Sequence, residues 1–279
     1  MFHIKLNSGL GNRLFQYASI KGFAKKLNMD VNILEIINTF HEYNNSYAWF
    51  NNKIANDIKP INISDIEYDC NYDQPFEEHI GCTTDLSIFK NKTQIKMQGY
   101  FQYEDNFIHI REELLDTFKE SPTVKELLDT YEKTLSNTYD NITVLHIRLG
   151  DYINCGKHFV NLENYYMKCI KLLRKKYGTL NVLIVCEDPQ HIQYIYNSLI
   201  YFIIAHDELQ IKQQNNAHSV EFDLYLLTRC KNVICSNSTF AWWGAWLNQK
   251  PEKEVFIPNK WLNDRPNIID MNNATIMEV

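Results

Sequence analysis

The sequence lacks the features of several protein classes. No apolar run approaches the ~20 residues that a membrane-spanning helix needs, and the opening MFHIKLNSG alternates like a strand, unlike a signal peptide. Lys and Arg number 28 against 34 Asp and Glu, a net charge of −6, which argues against nucleic-acid binding because duplex recognition needs a basic face. Seven cysteines form no CxxC pair and no zinc spacing, and their odd number fits a reducing compartment. We therefore expect a soluble, cytoplasmic protein that binds no nucleic acid.

Hydrophobic periodicity predicts alternating strands and helices. The first part opens with a strand at 2–7, a helix at 12–27 and a strand at 30–35. It continues through a polar, irregular stretch at 38–92, a strand at 93–101 and a helical region at 104–137 interrupted at Ser121-Pro122. The second part shows strands at 142–148, 181–186, 200–205, 232–235 and at EVFIP, with helices at 161–177, after Pro189, at 219–230 and at 238–249. Such alternation indicates parallel sheets covered by helices. We predict an α/β protein with two Rossmann-like domains, 1–138 and 139–279.

A polar cluster follows the strand at 142–148, in the segment HIRLGD. Arg148 is the informative residue, because the planar guanidinium fits a phosphate with two hydrogen bonds. A salt bridge to Asp151 or another carboxylate is the alternative explanation. Taken singly, His146 on the same strand end is better explained as a hydrogen-bonded core histidine, and Gly150 allows a sharp exit from the strand.

A second cluster, CSNSTFAWWGAW, follows the strand at 232–235. Hydroxyl groups at the start of a helix favour an anion, because the helix dipole and the free N–H groups both attract negative charge. Ser238 therefore either binds a phosphate or only caps the helix. The three tryptophans follow helical spacing, which favours packing over a sugar-binding role.

The segment NSGLGNRL at 7–14 offers a competing interpretation as a dinucleotide fingerprint, with Glu35 ending the next strand. However, a third small residue is missing, since position 14 is Leu, so an NAD(P) enzyme is the weaker hypothesis. The chain also lacks an Asp-x-Asp triplet for a divalent metal. If a diphosphate binds, Arg and helix dipoles must neutralise it.

These segments together resemble the α-1,2-fucosyltransferases of glycosyltransferase family 11, nearly end to end. The matching segments are GLGNRLFQYA, GYFQYEDNF at 99–107, HIRLGDY, FDLYLLTRCKNVICSNSTFAWWGAWLN and VFIPNKWLND at 255–264. The stretch 38–92 carries no resemblance that we identify. One departure stands inside the match, because Leu149 replaces the second Arg of the family's His-x-Arg-Arg-x-Asp motif. Neighbouring strand residues point to opposite faces, so Arg148 can keep its direction, and the departure bears on acceptor or donor preference.

The resemblance implies a GT-B-like fold in which two parallel sheets face each other across a cleft, with an acceptor-side first domain and a GDP-sugar-binding second domain. It implies metal-independent, inverting transfer of fucose from GDP-β-L-fucose to a glycan acceptor, with the 2-OH of a terminal galactoside as the family expectation. Arg148 is implied to clamp the diphosphate, and Asp151 is our candidate general base or else a structural partner of Arg148. The implied donor-binding residues are Gly9, Gly11, Asn12, His146, Arg148, Asp223, Ser238, Thr239 and Phe240.

Two alternatives stay open at this point. The first is a transferase that uses another GDP-sugar, such as GDP-rhamnose, and the second is a non-catalytic module that binds a nucleotide sugar or glycan on the same fold. Retention of Arg148, the Ser-Thr helix start and Asp223 argues against the second. The acceptor itself is not readable, because acceptor pockets come from variable loops, here 38–92 and 153–160.

Overall fold

The computed structural model describes residues 1–36, 48–59, 68–71, 85–212, 219–263 and 269–279. Most of the stretch 38–92, predicted to be irregular, lies outside these residues. The chain divides into two compact units, Met1–Lys119 and Glu120–Val279. In the part that is described, no helix is both long enough and apolar enough to cross a membrane.

The first unit contains a parallel sheet with the order β2-β1-β4-β3. Its elements in chain order are β1 (Phe2–Leu6), α1 (Leu10–Leu27), β2 (Val31–Ile36), α2 (Ala48–Ile54), β3 (Tyr68–Asn71), β4 (Ile95–Gln98) and α3 (Arg111–Thr117). The strand–helix–strand opening and the strand within 93–101 were predicted, whereas α2 and β3 were not. Because β1 lies between β2 and β4, the chain leaves the middle of the sheet directly into α1.

Helix α1 is buried on nearly all sides, so its polar side chains need internal partners. Gln16 Nε2 donates to Gly99 O at 3.1 Å, and Ser19 Oγ donates to Phe101 O at 3.0 Å. These bonds fix α1 against the segment after β4. The helix ends at Asn28, whose left-handed backbone (φ 52°) closes the last turn.

The second unit contains a six-stranded parallel sheet with the order β10-β9-β8-β5-β6-β7. Its elements in chain order are α4 (Pro122–Glu132), β5 (Ile142–Ile147), α5 (Glu163–Tyr177), β6 (Asn181–Cys186), α6 (Pro189–Ile195), α7 (Asn197–His206), β7 (Glu208–Ile211), α8 (Val220–Arg229), β8 (Asn232–Ile234), α9 (Thr239–Leu247), β9 (Val255–Pro258) and β10 (Thr275–Met277). Every residue of β5 is buried, as expected for a central strand covered on both faces. Strand β10 was not predicted.

One strand prediction is wrong, because residues 200–205 belong to helix α7 and the strand follows at β7. The apolar run LIYFII suggested a buried strand. In the structure Leu199, Ile200 and Ile203 are buried, while Tyr201 and Ile204 are 62% and 60% exposed. This spacing is that of one buried helical face. Because the exposed face is apolar as well, the sequence showed no helical periodicity.

Helix α4 accounts for the difference between the predicted boundary at 138/139 and the division after Lys119. It packs on α8, and the Tyr131 ring meets the Phe222 ring edge-on at 5.5 Å. Tyr139 OH also donates to Leu128 O at 2.9 Å. The helical region predicted at 104–137 thus contains α3 and α4, which fall in different units.

Candidate active site

The candidate site lies where β5, β6 and β8 end. Counted from its first strand, the second sheet has the order 3-2-1-4-5-6, in which the strand order reverses at β5. In such sheets ligands bind beyond the carboxyl ends of the strands at the reversal point. The segments HIRLGD and CSNSTF follow β5 and β8, which are hydrogen-bonded neighbours, so the sheet brings the two predicted clusters together.

Arg148 lies immediately after β5 and is held by two carboxylates. Its Nη2 atom donates to Asp151 Oδ1, and its Nη1 atom lies 3.1 Å from Glu187 Oε1. The guanidinium also lies over the Tyr152 ring, with Cζ 5.0 Å from the ring centre. Burial opposes the charge, but Glu187 and Asp151 outweigh it and raise the pKa of Arg148. The side chain stays charged, and 29% of its side-chain surface is exposed.

Glu187 is a site residue that the sequence analysis missed. It directly follows β6, and its Oε1 atom accepts a hydrogen bond from the backbone N–H of Leu149 at 2.9 Å. The same oxygen would lie 2.8 Å from a Cβ atom at Gly150, where φ is +36°. Burial raises the pKa of Glu187, although Arg148 opposes that shift. The sequence did offer one indication of this role: Glu187 is a polar residue at the end of a buried strand next to β5. It therefore lies at the same edge of the sheet as Arg148.

His146 links β5 to the segment after β8. Its Nδ1 atom lies 2.8 Å from Ser236 Oγ, and its ring is 5.8 Å from the Phe240 ring. Burial and the nearby charge of Arg148 lower the pKa of His146 to about 3. The imidazole is therefore neutral near pH 7. It is buried and hydrogen-bonded, and the donor-binding role implied for His146 stays a prediction.

The segment before α9 is held by hydrogen bonds of Asn237, whereas the Ser238 side chain at the N-cap does not cap the helix. Asn237 Nδ2 donates to His158 O and Trp261 O, each at 2.9 Å. Ser238 occupies the N-cap position, but its side chain makes no capping hydrogen bond. Thr239 and Phe240 are partly buried. The alternative that Ser238 only caps the helix is therefore not supported, and phosphate binding there stays a prediction.

The three tryptophans of α9 pack against one another along the helix. Trp242 and Trp246 stack with ring centres 6.2 Å apart, and Trp243 meets both rings edge-on. All three are buried, which confirms packing over a sugar-binding surface.

Asp223 lies on α8 and pairs with Lys212, with 2.7 Å between Oδ1 and Nζ. Burial raises the pKa of Asp223, and Lys212 opposes the shift. Lys212 is itself buried, so each charge compensates the other. The donor-binding role implied for Asp223 stays a prediction.

Gly9, Gly11 and Asn12 belong to the first unit. Gly9 lies in the turn between β1 and α1, and Gly11 and Asn12 lie in the first turn of α1. Asn12 Oδ1 accepts from Gln102 Nε2 at 2.9 Å, and Gly9 is the N-cap residue of α1. Arg13, which the sequence analysis did not single out, is fully buried and donates from Nε to Ser8 O at 2.9 Å. The turn and the start of α1 are therefore held in a defined shape, and the donor-binding role implied for Gly9, Gly11 and Asn12 stays a prediction.

Comparison with known proteins gives consistent matches over nearly the whole chain. A model described as glycosyl transferase family 11 matches residues 1–273. The O-antigen biosynthesis glycosyltransferase WbnK of Escherichia coli is 27% identical over 92% of this chain and 93% of its own length. An alpha-1,2-colitosyltransferase of Escherichia coli is 24% identical over 92% of this chain and 91% of its own. The structure of POFUT1 in complex with GDP-fucose matches with a TM-score of 0.50 at 11% identity, covering 91% of this chain and 97% of that one. The predicted GT-B-like α/β fold class is confirmed.

Proposed function

Because the chain belongs to glycosyl transferase family 11, we propose that it transfers L-fucose from GDP-β-L-fucose to a sugar hydroxyl. The proposed acceptor is the 2-OH of a terminal galactoside, and the product is the inverted, α-linked fucoside. The solved fold relative that carries GDP-fucose supports the donor class.

The observation that carries this proposal is the arrangement around Arg148. A guanidinium fixed by Asp151 and Glu187 at the reversal point of the sheet presents a preorganised planar donor. Donor groups fixed in this way stabilise a developing anion without reorganising during the reaction. His146 ties the neighbouring segment to the same edge through Ser236, and the hydroxyls of Ser238 and Thr239 follow it.

In the proposed reaction, the bond from C1 of fucose to GDP is replaced by a bond from C1 to the acceptor oxygen. The acceptor oxygen attacks C1 of fucose from the face opposite GDP, and the bond from C1 to the β-phosphate oxygen breaks. The electron pair leaves with GDP, where Arg148 and the start of α9 neutralise the growing charge. The acceptor proton passes to a base, for which Asp151 is the candidate.

Arg148 and the dipole of α9 supply positive charge to the diphosphate, so we propose that transfer needs no metal ion. In an enzyme that uses a divalent metal to neutralise the diphosphate, carboxylate side chains commonly supply oxygen ligands to that metal. Among the described residues, no group of three His, Cys, Asp or Glu side chains is placed to hold one. Full activity after exhaustive chelation is the expected result.

A second candidate differs only in the sugar. One relative over nearly the whole chain is named as a colitosyltransferase, which favours testing a colitosyl donor beside GDP-fucose and GDP-rhamnose. Release of GDP with each donor, followed by mass spectrometry and linkage analysis of products from a galactoside array, identifies both substrates. Transfer from another donor but not from GDP-fucose would overturn the fucosyl assignment. Tight GDP binding with neither transfer nor donor hydrolysis would instead support a binding module.

The role of Arg148 has a matched control within the same unit. Arg229 also pairs with two carboxylates, Glu120 and Asp129, but lies at the end of α8. We expect Arg148→Lys to lower turnover by about a hundredfold or more, because a point charge cannot replace the planar fork, while Arg229→Lys retains turnover. Near-normal turnover of Arg148→Lys contradicts the proposed clamp.

A further inference from the structure

The outer surface of α5, α6 and α7 combines exposed apolar side chains with basic ones. Tyr201 and Ile204 lie one helical turn apart on α7, and Tyr194 on α6 is 86% exposed. Leu172 on α5 is exposed as well. Large exposed apolar residues that cluster in this way mark an interaction surface more often than scattered ones do.

The charges of these three helices are almost all of one sign. Helix α5 carries Lys168, Lys171, Arg174, Lys175 and Lys176, whereas α6 and α7 contain no Asp or Glu. The one carboxylate on the three helices is Glu163, whose Oε1 accepts from Leu199 N at 3.0 Å. This composition contrasts with the net charge of −6 for the whole chain.

Three lysines of α5 carry charge that no carboxylate of the described residues neutralises, although Lys168 Nζ donates to the backbone carbonyl of Glu278 at 3.1 Å. Arg174 and Lys176 pair with Asp207 and Glu254, but none of the ion pairs within the described ranges involves Lys168, Lys171 or Lys175. These three lysines are exposed.

The basic helix α5 and the apolar helix α7 meet at Phe202. Lys171 Nζ lies 5.3 Å from the centre of the Phe202 ring, and Arg174 Cζ lies 5.8 Å from it. Phe202 directly follows Tyr201 on α7, and α5 packs on α7. The α5–α7 face, formed by Lys168, Lys171, Lys175, Tyr194, Tyr201 and Ile204, therefore presents lysines beside apolar rings.

We propose that the α5–α7 face docks the protein on the surface of an anionic lipid bilayer. Aromatic and aliphatic side chains enter the boundary between headgroups and acyl chains, and lysines beside them attract anionic headgroups. An acidic protein needs such a local basic patch to approach a negative surface. This property goes beyond sugar transfer and is independent of it.

The test is co-sedimentation of the full chain with vesicles, without donor or acceptor. Vesicles of phosphatidylcholine with about 40% phosphatidylglycerol should bind the protein, pure phosphatidylcholine should not, and binding should weaken when salt rises from about 0.1 M to about 0.5 M. Because each lysine near an anionic surface contributes about fivefold in affinity, the triple change Lys168→Gln, Lys171→Gln, Lys175→Gln should weaken binding about a hundredfold. The pair Tyr201→Ser and Ile204→Ser should also release the protein.

Matched controls change the same residue types elsewhere. Lys90→Gln, Lys119→Gln and Lys133→Gln remove the same charge, and Ile58→Ser with Ile88→Ser remove exposed isoleucines; both sets should bind as the parent does. Absence of binding to the anionic vesicles, or equal loss in the controls, overturns the proposal. Sedimentation that shows a dimer lost in the Tyr201→Ser, Ile204→Ser variant assigns the face to a second copy of the chain and also overturns it.

Discussion

The neutral, buried His146 predicts how the second unit responds to acid. Its pKa falls from an ordinary value of 6.5 to about 3 in the folded chain, because burial and Arg148 disfavour the imidazolium. Between these values the unfolded chain binds a proton that the folded chain does not, so stability falls as the pH falls below 6.5. From pH 7 to pH 5 this group alone should cost about 2 kcal/mol of unfolding free energy.

The assay compares the parent with His146→Asn, which keeps a group able to bond to Ser236 Oγ but has no titrating ring. Urea unfolding at pH 7 and pH 5 is followed by tryptophan fluorescence, since Trp242, Trp243 and Trp246 lie on α9 in the same unit. The variant's lower overall stability cancels in the difference between the two pH values, and so do the other titrating groups. The parent should lose about 2 kcal/mol more than the variant over this range. An equal loss in both proteins refutes a buried, neutral His146.

Further substitutions test the surroundings of Arg148 and the packing of α9. Glu187→Gln removes a carboxylate with a raised pKa. In the parent, GDP affinity measured by calorimetry should fall with rising pH as Glu187 ionises, and this pH dependence should be weaker in the variant. The same pH dependence in both proteins would contradict this role of Glu187. Gly150→Ala should cost about 1–2 kcal/mol in urea unfolding, since φ is +36° and the new Cβ would lie 2.8 Å from Glu187 Oε1; unchanged stability would mean that the turn relaxes freely. Gly244→Ala should cost about 1–3 kcal/mol, because its Cβ would lie 2.5 Å from Leu227 Cδ1, and a neutral effect in thermal unfolding would show that α8 and α9 separate easily.

The position of the candidate site was predictable because strand ends in a parallel sheet share one edge. The alternation of strands and helices alone was enough to place the polar residues after the strands at 142–148 and 232–235 at one edge. The pairing of β5 with β8 confirms this placement. Helix ends were predicted where local chemistry decides them. Gly178, with φ +80°, ends α5, and Ser219 Oγ accepts from Phe222 N at the start of α8.

Other features depend on partners far apart in the sequence. The run at 200–205 was read as a strand because its outward residues, Tyr201 and Ile204, are as apolar as its inward ones, so the pattern carried no helical period. Glu187 meets Arg148 and Leu149 across two strands, and neither contact leaves a local pattern. The choice between a ligand role and a salt bridge for Arg148 was left open by the sequence; the structure shows the salt bridges, and the ligand role stays a prediction.

If Arg148 binds the diphosphate as proposed, these salt bridges determine how much positive charge it can offer. One guanidinium faces two carboxylates, Asp151 and Glu187, so the cluster is not positive when both are ionised. Burial raises the pKa of Glu187, and a diphosphate arriving beside Arg148 adds negative charge that favours its protonated form further. A protonated Glu187 still accepts from Leu149 N–H and still positions the fork, but no longer competes with the phosphate for its charge. In the proposed function, a carboxyl group at this position can thus position Arg148 and, once protonated, leave its charge to the diphosphate, which a permanently charged partner cannot do.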